Sequence, residues 1–127
     1  MRKSCDGLVD YICSRYRNGA EIGVGHLPDI ALALARRGIG IFASDIKLFS
    51  YEGLEVVMDD ITQPDLGLYE GLDFIYSVRP PLELVPYMVR LGKAVSADLL
   101  VKPLASEYPG GELMRNDNTT FFLWKHL

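Results

Sequence analysis

Five residues of this 127-residue chain have types and spacing that could do chemistry together: Glu21, Gly23, Gly25, Asp45 and Asp60. Glu21-x-Gly23-x-Gly25 ends a short apolar run and leads into Pro28-Asp29-Ile30. A strand, a glycine turn and a helix start bring backbone N–H groups close to a ligand, since glycine has no Cβ in the way. The two glycines equally suit a tight turn that meets no ligand. Asp45 stands 20 residues beyond Gly25, where a strand-end carboxylate can accept hydrogen bonds from ribose hydroxyls; it could also simply close its strand. Glu21 sets the ligand's charge. Beside a pyrophosphate it would repel, whereas beside an amino group or a sulfonium it would attract. A structural pairing with an arginine is its other use. Asp60, followed by Ile61, supplies a third strand-end carboxylate, with capping of the Thr62-Gln63-Pro64 segment as its alternative.

The elements that must position these residues follow from hydrophobic periodicity and turn chemistry. Leu8, Ile12 and Tyr16, four apart, predict an amphipathic helix over residues 4–17, ended by Asn18-Gly19. A strand over 20–25 and a helix over 28–38 come next. That helix has an early proline and acid, two late arginines and a terminal glycine. Further strands are predicted at 39–45, 54–60, 72–77 and 97–102, with a helix from 82 to 91 stopped by Gly92. Segments 46–53 and 61–71 are too short for full helices, and 103–111 has no helical pattern. The tail predicts a hairpin, 112–115 and 119–124, turning at Asn116-Asp117-Asn118. The sum is a single α/β domain, 1–127: a Rossmann-like open sheet of five mainly parallel strands plus a C-terminal antiparallel hairpin, with a reduced helical layer. Glu21, Asp45 and Asp60 then fall at the C-terminal ends of three strands, the edge where such sheets bind ligands.

Charge narrows the partners. The chain carries 13 Lys+Arg against 17 Asp+Glu, yet residues 20–75 alone hold three bases and ten acids. That middle segment would repel phosphates, which argues against nucleic acid on its surface and for a polar, partly cationic small molecule. Residues 1–19 carry four bases and two acids, a weak footprint for an anion. No apolar run approaches the 20 or so residues of a membrane span, and no signal-peptide core follows the basic start, so a cytoplasmic location is expected. Cys5 and Cys13 lie too far apart along one helix for a disulfide and read as reduced core residues. His26 and His126 stand alone, so no metal site is expected. His26 follows the glycine turn, where it could contact ligand or serve as a cap.

Glu21-x-Gly23-x-Gly25, then Asp45, then Asp60-Ile61 resemble the successive cofactor motifs of class I S-adenosylmethionine-dependent methyltransferases. The resemblance implies that Glu21 lies near the methionine end of the cofactor, that Gly23 and Gly25 let the backbone pass close, that Asp45 binds ribose, and that Asp60 with the N–H of Ile61 meets the adenine. Two departures stand out. Leu27 replaces the third motif glycine. Ser77-Val78-Arg79-Pro80-Pro81 occupies the place where amino-methyltransferases carry an Asn/Asp-Pro-Pro-aromatic motif, making Ser77, Arg79 and Pro80 the substrate-side candidates. Arg79, preceding proline, is expected to be extended and to clamp a carboxylate or phosphate, or else to neutralise Glu21 or Asp45. In size, and in Tyr76 to Pro81, the chain also resembles a short, uncharacterised archaeal family related to these enzymes.

The function implied is a minimal S-adenosylmethionine-binding domain, a small methyltransferase or a relative of one, with the acceptor unnamed. A non-catalytic nucleotide-binding or scaffolding module of the same fold is the alternative. An NAD-type dinucleotide binder is disfavoured by Glu21 and by Pro28, which stands where a small residue is wanted. So short a chain has little left to cover its site, and a second copy or a partner chain is expected to supply that cover.

Overall fold

The computed structural model describes residues 5–126; the basic start of the chain, with Arg2 and Lys3, lies outside them. In chain order the elements are α1 (Asp6–Arg15), β1 (Asn18–Ile22), α2 (Asp29–Arg36), β2 (Gly40–Asp45), β3 (Val56–Met58), β4 (Phe74–Val78), α3 (Val85–Val95), β5 (Asp98–Lys102), β6 (Glu112–Asn116) and β7 (Thr119–Trp124). Single 3-10 turns occupy Leu66–Leu68 and Leu82–Leu84. All seven strands join one sheet in the order β3-β2-β1-β4-β5-β7-β6. The first five run parallel, and β7 adds antiparallel to β5 as the inner strand of the hairpin. This is the Rossmann-like open sheet with a C-terminal hairpin that the sequence predicts. No helix among the described residues is long and apolar enough to cross a membrane.

The chain moves from β1 outward to β2 and β3, then returns to lay β4 on the other side of β1. That reversal opens a crevice outside the C-terminal ends of β1 and β4. One face of the sheet is covered by α1 and α2, whose Leu8, Ile12 and Leu34 pack with Phe74, Leu100 and Phe121. The other carries α3, with Met88 and Leu91 against Ile22, Ile75 and Leu99. Burying each such side chain is worth about 1.5–3 kcal/mol. On this second face Tyr69, from the helix-poor crossover after β3, is fully buried against Phe42 and stands in for a missing helix.

Three expectations are corrected. Asn18 and Gly19 open β1 rather than end α1: Tyr16 is already extended, its hydroxyl donating to buried Asp98 at 2.7 Å. Gly19 is there for packing, since a Cβ would come within 2.3 Å of the Phe74 ring. Nor does Gly92 stop α3. The helix runs through it to a left-handed cap at Ser96 (φ 59°), and a Cβ on Gly92 would meet the His126 ring at 2.8 Å. The third strand is three residues long, leaving Asp59 and Asp60 beyond its end.

Candidate functional site

The glycine turn is built by conformation first. Gly23 (φ 75°) and Gly25 (φ 55°) occupy the left-handed region that disfavours a side chain, and a Cβ on either would meet only open space. The turn's donors point into the protein. Gly23 and Val24 donate to the Ser44 carbonyl at 2.8 and 3.3 Å, and Gly25 donates to Asp45 Oδ2 at 2.9 Å. The Tyr51 hydroxyl donates to the Gly25 carbonyl from the next crossover. Asp45 also accepts from the Lys47 N–H at 3.0 Å through Oδ1, so it both anchors the turn and closes β2.

Glu21 lies directly across from Tyr76 in the β1–β4 ladder, and only 2% of it is exposed. The Tyr76 hydroxyl donates to its Oε1 at 2.6 Å. Burial pushes the Glu21 carboxyl up to about 8, the Tyr76 hydrogen bond pulls the other way, and the Asp45 charge adds to the rise. Around neutrality Glu21 is therefore a protonated acid, held by a tyrosine and not by an arginine. Asp60 is its opposite. It is exposed, and its Oδ1 accepts from both the N–H (2.9 Å) and the hydroxyl (2.8 Å) of Thr62, which hold its carboxyl below the usual range. Its neighbour Asp59 takes the Tyr69 hydroxyl at 2.6 Å and the Asp65 N–H at 3.1 Å, so that carboxylate belongs to the packing of the crossover.

Two adjoining cavities occupy the crevice. The smaller, about 450 Å³, is lined by Asp45, Asp60, Ile61, Ser77 and Pro80 among others. The larger, about 860 Å³, opens between the starts of α1 and α2 and is lined by Glu21, Gly25, His26, Asp29 and Arg36. Gly23, Val78 and Arg79 line both. Every residue predicted for the site thus borders one of the two cavities, Glu21 the larger and Asp45 and Asp60 the smaller. Ser77 is buried, and its hydroxyl donates to the Ile22 carbonyl at 2.7 Å, tying β4 to β1. The His26 ring meets Phe49 edge-on at 5.0 Å, at the rim of the larger cavity.

Arg79 is not extended. It sits at φ 55°, its N–H donating to the Lys102 carbonyl at 2.6 Å. Proline disfavours the right-handed helical region for the residue before it, and that exclusion leaves the left-handed region open. The side chain is exposed and, among the described residues, makes no ion pair with Glu21 or Asp45.

Tyr51, Tyr69 and Tyr76 organise this site and were not singled out by spacing. Their roles depend on which strands are neighbours: Tyr76 reaches Glu21 only because β4 returns to pair with β1. The smaller cavity combines carboxylate acceptors, Asp45 and Asp60, with one guanidinium donor, Arg79, a set that suits an elongated ligand carrying hydroxyls and an amino group. Among the described residues no group of three or more His, Cys, Asp or Glu is placed to hold a metal ion.

A model of an uncharacterised protein family, UPF0146, matches residues 7–126. A UPF0146 protein of Archaeoglobus fulgidus is 39% identical over 118 residues, 91% of either chain. One from Methanocaldococcus jannaschii is 40% identical over 99 residues, 74% of this chain and 72% of the other. Among solved structures, the S-adenosylmethionine-dependent methyltransferase SibL, in its apo form, aligns with a TM-score of 0.57 at 18% identity, over 77% of this chain and 34% of its own. Magnesium protoporphyrin IX methyltransferase from Synechocystis, with bound SAM, gives 0.55 at 15% identity, over 76% and 55%. A Rhodobacter sphaeroides protein described as a Zn-dependent alcohol dehydrogenase gives 0.64 at 15% identity, over 84% and 49%. The chain spans between a third and just over half of these structures, and at such identities the likeness is one of fold. Kinship with a short archaeal family, and a methyltransferase-type fold, are as the sequence motifs imply.

Proposed function

The chain belongs to the UPF0146 family, and on that premise we propose that it binds an S-adenosyl ligand at the C-terminal edge of its sheet, as a small methyltransferase or a non-catalytic relative of one. The observation that carries this reading is the direction of the turn's donors. The N–H groups of Gly23, Val24 and Gly25 are all committed inside the protein, so these three positions offer a pyrophosphate no free donor. That weighs against an NAD-type ligand on firmer ground than Glu21 does, since a protonated Glu21 repels little.

In this reading Asp45 would take ribose hydroxyls, Asp60 and Ile61 would meet the adenine, Gly23 would leave room for the ligand, and Glu21 would face its sulfur and amino-acid end. Bound S-adenosylmethionine supplies an electrophilic methyl group on a sulfonium. The protein's part is to align ligand and acceptor and to exclude water, tasks that need no general base. Beside a bound cation Glu21 would release its proton to solvent and serve as the counter-charge. A second chain is proposed to complete the cover, seated where Leu27 and Ile46 stand exposed on the rims of the two cavities.

Calorimetry with S-adenosylmethionine, S-adenosylhomocysteine and NAD tests the proposal. Binding of the adenosyl ligands is expected, with the sulfonium form gaining on the neutral one as pH rises through about 8 and Glu21 ionises more readily. Binding of neither adenosyl ligand overturns the proposal. Binding without methyl transfer to any acceptor in a cell extract assigns the non-catalytic form.

A further inference from the structure

The two cavities meet at three residues, Gly23, Val78 and Arg79, and only the last carries a charge. Arg79 is the sole basic residue lining the smaller cavity among the described residues, and it lines the larger one as well. Its backbone is fixed on both sides: the N–H is held by the Lys102 carbonyl, and Pro80 and Pro81 follow directly. A non-glycine residue at φ 55° is uncommon, and the surrounding structure must hold it there. What it achieves is to set Arg79 where the two cavities adjoin. Among the described residues the head group makes no ion pair or hydrogen bond. Glu21 is satisfied by Tyr76, Asp45 by two backbone N–H groups and Asp60 by Thr62.

We propose that Arg79 holds the α-carboxylate of the ligand's amino-acid end and so selects the complete S-adenosyl amino acid over forms that lack the carboxylate. The inference rests on the proposed S-adenosyl site. An adenosyl ligand with its sugar at Asp45 and its base at Asp60 must cross the junction to reach Glu21. At that crossing an amino acid presents two charges of opposite sign. Glu21 faces the ammonium and sulfonium side from the larger cavity, and Arg79 offers the planar, two-pronged donor that suits a carboxylate. Arg36 lines the larger cavity from the last turn of α2 and does not reach the smaller one.

The test compares S-adenosylmethionine with decarboxylated S-adenosylmethionine, which keeps the sulfonium and the amine, on the wild type and on Arg79→Gln. Calorimetry should find the wild type about 10- to 100-fold tighter for the intact compound, the range expected of a charge-assisted, two-pronged hydrogen bond. Arg79→Gln should lose most of that preference while binding the decarboxylated compound within about twofold of wild type. Arg79→Lys should recover part of it. A wild type that binds both compounds equally overturns the inference, as does an Arg79→Gln variant weakened equally for both. The second result would move Arg79 to the fold or to the acceptor. Should the wild type bind neither compound, the S-adenosyl reading itself fails and takes this assignment with it.

Discussion

Glu21 and Asp60 lie on opposite sides of one crevice and are governed by opposite physics. Glu21 is inside the sheet, bonded by Tyr76, with burial keeping its proton on up to about pH 8. Asp60 is in solvent, bonded by Thr62, and held ionised below the usual carboxylate range. Asp45 stands between them, half-buried, with its oxygens divided between the glycine turn and the loop after β2. The crevice is thus graded from a neutral, enclosed wall along β1 and β4 to a charged, open wall beyond β2 and β3. The contrast shows that three acids at equivalent strand ends need not do equivalent work. Desolvation and neighbours decide what each is.

The largest effect that could break this contrast is the pH dependence of stability. Glu21 keeps in the fold a proton that the unfolded chain loses near its ordinary value of 4.5. Its raised value therefore lends stability that is fully present below about pH 4.5 and declines as pH rises to about 8, by on the order of 4 kcal/mol across that window. Denaturant unfolding at pH 4.5, 6.5 and 8.5 should show this decline in the wild type and not in Glu21→Gln. Equal profiles would mean that Glu21 is ionised in the fold, and the graded crevice would be wrong.

Next in size is Tyr76→Phe. It leaves a buried carboxyl oxygen without its donor, at about 1–3 kcal/mol, and it should push the Glu21 carboxyl still higher. A thermal melt unchanged from wild type would show that the Tyr76 hydroxyl holds nothing. Asp45→Ala removes the acceptor of two N–H groups and should cost about 1–2 kcal/mol together with at least a tenfold loss of adenosyl affinity. Asp60→Ala sharpens the comparison from the other side. Its unfolding midpoint should match the wild type while adenosyl affinity falls severalfold, separating a ligand-facing acid from a structural one. A destabilised Asp60→Ala with unchanged binding would make it a cap alone.

Much of this site was legible because its signals are local. A left-handed turn demands glycine whatever packs around it, which is why Gly23 and Gly25 could be read from two positions in the chain. The α2 helix carries its own ends, with Asp29 in the first turn, Arg36 in the last and Gly38 just beyond at φ 89°. Apart from the shortened β3, the failures involve a partner distant in sequence. Gly92 looks like a helix stop until the His126 ring is seen to need its missing Cβ, and Gly19 until Phe74 does. Arg79 looks extended until the Lys102 carbonyl, from β5, captures its N–H. Tyr69 looks like one of seven scattered tyrosines, yet its ring is buried in the core and its hydroxyl bonds Ser44 and Asp59.

The sequence by itself determined the order of strands and helices, the glycine turn and the placing of three acids at strand ends, because periodicity, turn conformation and chain order act over a few residues at a time. The tertiary structure alone decided which acid keeps its proton and where the two cavities join. Desolvation depends on everything that surrounds a group, and Glu21 is enclosed by a strand bearing Tyr76, 55 residues further along the chain. The same return of β4 to the side of β1 sets Arg79 at the junction, a position that no spacing in the chain could express.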